Sequence, residues 1–131
     1  MPSFGTLKAD ILTHSTAGSL ATNYVVNGSA KGWARHTTVS SSSIVDSFNM
    51  ASLTDAGTGE TTFTLTNSMS DANYAVEATA GRNTASNPGE CWIYTGNMVA
   101  GGSYQVETLA VGDASYQDQD YVAHSVMGDL A

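Results

Sequence analysis

Thr61 to Thr66 reads Thr-Thr-Phe-Thr-Leu-Thr, with Phe63 and Leu65 on one parity and Thr62, Thr64 and Thr66 on the other. A period of two marks a strand with one buried face. Threonine keeps β propensity on the wet face without adding charge. Ahead of it, Asp55-Ala56-Gly57-Thr58-Gly59 supplies two glycines, which tolerate the positive φ of a tight reversal. Behind it, Ser70-Asp71-Ala72-Asn73 reads as a turn. Tyr74, Val76 and Ala78 then alternate with Ala75, Glu77 and Thr79. The stretch from Asp46 to Ala80 is therefore β throughout, and no step in it needs a helix.

The rest of the chain repeats this grammar. Leu7, Ala9 and Ile11 alternate with Lys8, Asp10 and Leu12, and Ser15 to Ser19 follow as a flexible break. So short a strand cannot stand alone in water. It pairs as the first strand of the main sheet, or it is an arm that docks on a neighbouring subunit or larger assembly. Leu20 to Val26 reads as extended, ending at an Asn27-Gly28-Ser29 turn. Between Lys31 and Thr38, Trp33 and Arg35 share one parity and Ala34 and His36 the other. Ser40 to Ser43 is a solvated loop, and Ile44 to Thr54 reads as one strand with both faces partly covered, which suits a sandwich. Gly81 to Glu90 is a loop, Cys91 to Thr95 a compact central strand, and Tyr104, Val106 and Thr108 mark the next. A polar loop from Gly112 to Gln119 precedes a last strand from Tyr121 to Met127.

Seven or eight short strands at roughly ten-residue spacing predict an all-β fold. The expectation is an antiparallel, jelly-roll-like β-sandwich over 20–131 with an extended N-terminal arm or first strand over 1–19. With 131 residues the chain has room for one domain with a real core. Only 12% of residues are charged, and the net charge is −8 from 12 acidic and 4 basic residues. Lys8, Lys31, Arg35 and Arg82 are scattered, so no basic stripe exists for phosphates, and nucleic acid is not an expected partner. No apolar run approaches membrane-spanning length and no basic-plus-apolar leader opens the chain, which predicts synthesis and folding in a cytoplasm without processing, and no membrane partner.

Chemistry-bearing patterns are weak. His14, His36 and His124 are far apart, lack metal-ligand spacing, and read as surface or edge-strand residues. Asp113, Asp118 and Asp120 do not follow the calcium-loop pattern and read as a solvated acidic loop. No Gly-x-Ser-x-Gly elbow occurs. Cys91, the single cysteine, sits in an apolar run and reads as an inert thiol. No catalytic residue, metal site or cofactor is expected. Trp33, Phe48, Phe63, Tyr74 and Trp92 read as core or interface aromatics, with sugar stacking the sharper alternative.

Several stretches carry a resemblance: Gly5-Thr6-Leu7-Lys8-Ala9-Asp10, His14-Ser15-Thr16-Ala17-Gly18, Tyr24 to Lys31, Asp46-Ser47-Phe48-Asn49, Ser52 to Glu60 and Asp71-Ala72-Asn73-Tyr74. Together they resemble a family of small β-rich bacteriophage virion proteins, found as capsid decoration (cement) proteins and as distal tail-fibre domains of marine phages. The likeness covers about the first eighty residues and departs from the family at Arg35 to Val39. It implies a scaffold without catalytic chemistry: a homo-oligomer, a trimer or higher, on the virion surface that contacts the major capsid protein or another virion protein, the homotrimer being the leading expectation. A chain of this size starting at Met1 lacks a fibre shaft, which favours capsid decoration. The alternative is a receptor- or carbohydrate-binding tip module. Phe4, Leu7, Ala9, Ile11 and Leu12 are the expected contact residues of the arm, and the loops 81–90 and 112–119 the expected outer face.

Overall fold

The computed structural model describes residues 9–81, 89–94, 98–99, 102–112 and 115–131. In chain order the elements are β1 (Ile11–His14), β2 (Gly18–Ala21), α1 (Thr22–Gly28), β3 (Ala30–Thr37), β4 (Ser43–Phe48) and β5 (Met50–Gly57). They continue with β6 (Glu60–Leu65), β7 (Ala75–Ala80), β8 (Gly89–Tyr94), β9 (Ser103–Ala110) and β10 (Val122–Met127). Two four-stranded antiparallel sheets, ordered β4-β3-β10-β7 and β5-β6-β9-β8, form a β-sandwich. A separate hairpin, β1-β2, pairs with neither of them.

The alternation read from the sequence sets which residues meet between the sheets. Phe63 and Leu65 of β6, Tyr104 and Val106 of β9, Ala34 of β3, and Val122 and Val126 of β10 are buried. Leu53, Val76, Ala78, Cys91 and Ile93 pack against them. The Phe63 and Tyr104 rings stack with centroids 5.8 Å apart. The β5-β6 reversal falls at the predicted glycines, with Gly59 at φ +69°. The predicted turn after Ser70 is an Asx turn: Asp71 Oδ1 accepts the Asn73 N–H at 2.7 Å. That bond holds the Asp71 carboxyl below its usual range.

Several expectations are corrected. Leu20 to Val26 is not one extended run, because β2 ends at Ala21 and α1 begins. Among the described residues β1 pairs with β2 and with no strand of either large sheet, and the expected strand over 7–12 lies partly outside those residues. Ser15–Ser19 is no slack break but the reversal of this hairpin, opening β2 at Gly18. β2 also runs across the expected 19/20 boundary. Ile44–Thr54 is two strands in opposite sheets. Asn49 sits between them at φ +59°, a left-handed conformation that asparagine tolerates. Its Nδ2 donates to Lys31 O, and its Oδ1 accepts the Asn67 N–H, both at 2.8 Å. The run at Cys91 is an edge strand, β8, rather than a central one. The doubly covered strand is β9, buried from Tyr104 to Ala110.

The acidic loop is also more than solvated surface. Asp118 Oδ1 accepts the Gly59 N–H at 2.8 Å, and Gln119 is fully buried. The Gln119 N–H donates to Thr38 Oγ1 at 2.7 Å. Asp113 and residues 82–88, which include most of the Gly81 to Glu90 loop, lie outside the described residues.

Candidate assembly surface

The hairpin and α1 expose what a sandwich ordinarily hides. Ile11, Leu12, Leu20, Tyr24, Val25 and Val26 all face solvent, Tyr24 at 68% and Val26 at 58% of full exposure. No residue of α1 is buried. Local propensity does not account for this helix. It has seven residues, two of them adjacent valines, and Ala21 at the N-cap makes no side-chain cap. Isolated helices that short are marginal in water, as are isolated hairpins.

Tertiary hydrogen bonds hold it instead. At its start the Thr22 N–H donates to Asp10 O at 2.8 Å, and Thr22 Oγ1 donates to Ala9 O at 2.7 Å. At its end Lys31 is the clamp. This buried lysine donates from Nζ to Val26 O, to Ser29 O at 3.2 Å and to Ser29 Oγ at 2.9 Å. An ammonium at the carbonyl end of a helix suits its dipole. A groove lined by Val25, Val26, Ser29, Lys31, Ser70, Asp129 and Leu130 separates α1 from the base of the sandwich.

Of the expected arm contacts, Ile11 and Leu12 are exposed on this surface and Ala9 is half-buried beside it; Phe4 and Leu7 lie outside the described residues. Sequence reading missed Leu20, Tyr24, Val25 and Val26 as part of the same surface. Their signal was an apolar run followed by Asn-Gly, which resembles a strand and turn. The five aromatics divide. Phe63 and Tyr74 are core, the Tyr74 hydroxyl donating to Ser103 O at 2.8 Å. Trp33, Phe48 and Trp92 are exposed on the outer faces of the sheets.

Two of the three histidines are not surface residues. His36 and His124 are buried with ring centroids 5.5 Å apart, and Phe63 lies 4.8 Å from the first and 4.3 Å from the second. Neither ring has a hydrogen-bond partner among the described residues. Burial pushes the His36 pKa down to about 4. Burial, then the neighbouring His36, pushes His124 down to about 3. Burial raises the Cys91 thiol to about 12, which keeps it protonated and unreactive at neutral pH. No three His, Cys, Asp or Glu side chains converge to hold a metal among the described residues.

Fold and surface together define a class: an all-β antiparallel sandwich carrying an uncovered apolar hairpin and helix at its N-terminal side. No family model, no curated protein and no solved structure matches the chain.

Proposed function

We propose that this is a structural bacteriophage virion protein, a capsid decoration or cement protein. It assembles into a homotrimer through the hairpin and α1 and presents the sandwich on the particle surface. The observation that carries the reading is the set of six exposed apolar side chains on two elements too short to be stable alone. Fully burying a side chain of this kind contributes about 1.5–3 kcal/mol. Covering the set between identical copies supplies the cohesion one chain lacks, and symmetry repeats each contact around the axis. The sequence resemblance supplies the setting, and the sandwich suits a brick held by surfaces.

Light scattering on the full chain tests assembly, with an expected mass three times the 13.6 kDa of one chain. The double variant Tyr24→Asp, Val26→Asp should give the single-chain mass, keep its β circular dichroism, and lose attachment to particles of the encoding phage. A wild-type chain that stays monomeric, with the double variant still decorating particles at full occupancy, sinks the proposal.

A further inference from the structure

The outer face of the β4-β3-β10-β7 sheet is grooved for a reason visible in its residues. On the central strand β10, Val122, His124 and Val126 point inward, so the outward positions are Ala123 and Ser125. Their partners are large. Ser125 lies between Trp33 and Glu77, and Ala123 between Arg35 and Thr79. Strands sit about 4.8 Å apart, so these walls stand roughly 9–10 Å from each other over a low floor. Tyr121 lies beside Arg35, whose guanidinium is 4.8 Å from the centre of its ring. Asp46 pairs with Arg35 on the far side. The resulting trough holds about 660 Å³, within the range of small-ligand sites, about 300–1,000 Å³.

We propose that this trough binds a segment of neutral glycan. The indole of Trp33 offers an apolar plate for the C–H face of a sugar ring. The carboxylates of Asp46 and Glu77 accept hydrogen bonds from sugar hydroxyls, Arg35 donates them, and Thr79 and Ser125 do both. Other occupants fit less well. An extended peptide gains its affinity from main-chain pairing, and the floor here is a sheet face whose backbone is already in the ladder. One cation beside two carboxylates, on a chain of net charge −8, repels nucleic acid and acidic glycans. A purely apolar ligand would strip water from the carboxylates without replacing it. The trough is built from β3, β4, β7 and β10, apart from the hairpin and α1, so this inference goes beyond the assembly reading.

The full-length protein is titrated with maltohexaose, cellohexaose, laminarihexaose and chitohexaose, with hexagalacturonate as the acidic probe. The chain has two tryptophans, so Trp92→Phe leaves Trp33 as the sole indole reporter. At least one neutral hexasaccharide should give a saturable change in its fluorescence. By calorimetry, Trp33→Ala should weaken that binding at least ~10-fold, and Ala123→Leu, which fills the floor, should do the same. Thermal melts check folding, and if Trp33→Ala does not fold, Ala123→Leu decides. The assembly variant Tyr24→Asp, Val26→Asp should keep the wild-type affinity per chain, which separates failure of this site from failure of assembly. The proposal is overturned if no neutral probe binds saturably up to ~10 mM. It is equally overturned if Ala123→Leu binds as wild type does, or if hexagalacturonate binds best.

Discussion

His36 and His124 occupy positions where an aliphatic residue would serve packing alone, and their cost appears in acid. Unfolded histidine titrates near 6.5. Folded, His36 titrates near 4 and His124 near 3. Between those values the unfolded chain binds the extra protons, so stability is full above about pH 6.5 and falls as pH drops toward 4 and then 3. His36 alone accounts for about 3 kcal/mol of that loss. Urea midpoints between pH 7 and pH 4 should fall steeply for the wild type and clearly less for His36→Leu, His124→Leu. Equal slopes in the two proteins would show that the rings do not bear the cost. Gly59 is a second single-residue constraint. A Cβ there would collide with Thr108 O and stand 2.9 Å from Gln117 N, at φ +69°. Gly59→Ala should therefore cost about 2 kcal/mol or more in urea unfolding. The sequence set Ala34 and His36 on one parity and Trp33 and Arg35 on the other, but did not say which pair faces inward. What misled was residue type, since an unpaired histidine inside a core runs against the usual economy of burial.

At the scale of elements, legibility followed locality. β6 and its flanking turns were readable because a period of two and two glycines lie within a few residues. The break at Asn49 was not, because the parities of β4 and β5 continue through it and only packing assigns them to different sheets. The helix was invisible because its support comes from Asp10, Ala9 and Lys31 rather than from its own sequence. That origin makes a prediction. Lys31→Ala should lower amide protection in residues 25–29 by about tenfold in hydrogen exchange, with β9 and β10 unchanged. Unchanged protection in α1 would mean the clamp is incidental. Deleting residues 1–12 removes the first half of β1, leaving Leu20 and Ala21 of β2 without their partners. The sandwich should keep its β circular dichroism while, on the assembly proposal, attachment to particles is lost. Full decoration by the truncated chain would shift the contact away from the hairpin.

For the whole molecule, topology sets what sequence alone could not. β10, the last strand, inserts between β3 and β7, and that pairing between distant segments creates the trough. The alternation of β3 was readable in the sequence, but which parity faces outward and which neighbour stands across the ladder were not. β9 is covered on both faces and flanked by β6 and β8. Its amides should be the last to exchange, at rates that report global unfolding. Faster exchange in β9 than in β7 would contradict that order.

Asn49 carries one more implication. It joins the two layers through a single residue, and its amide grips the main chain of Lys31, the residue that also clamps α1. Tension arriving from the N-terminal side thus reaches a rivet through both layers rather than the margin of one. In the proposed assembly, a coat that swells or is sheared would load the two layers together instead of peeling them apart.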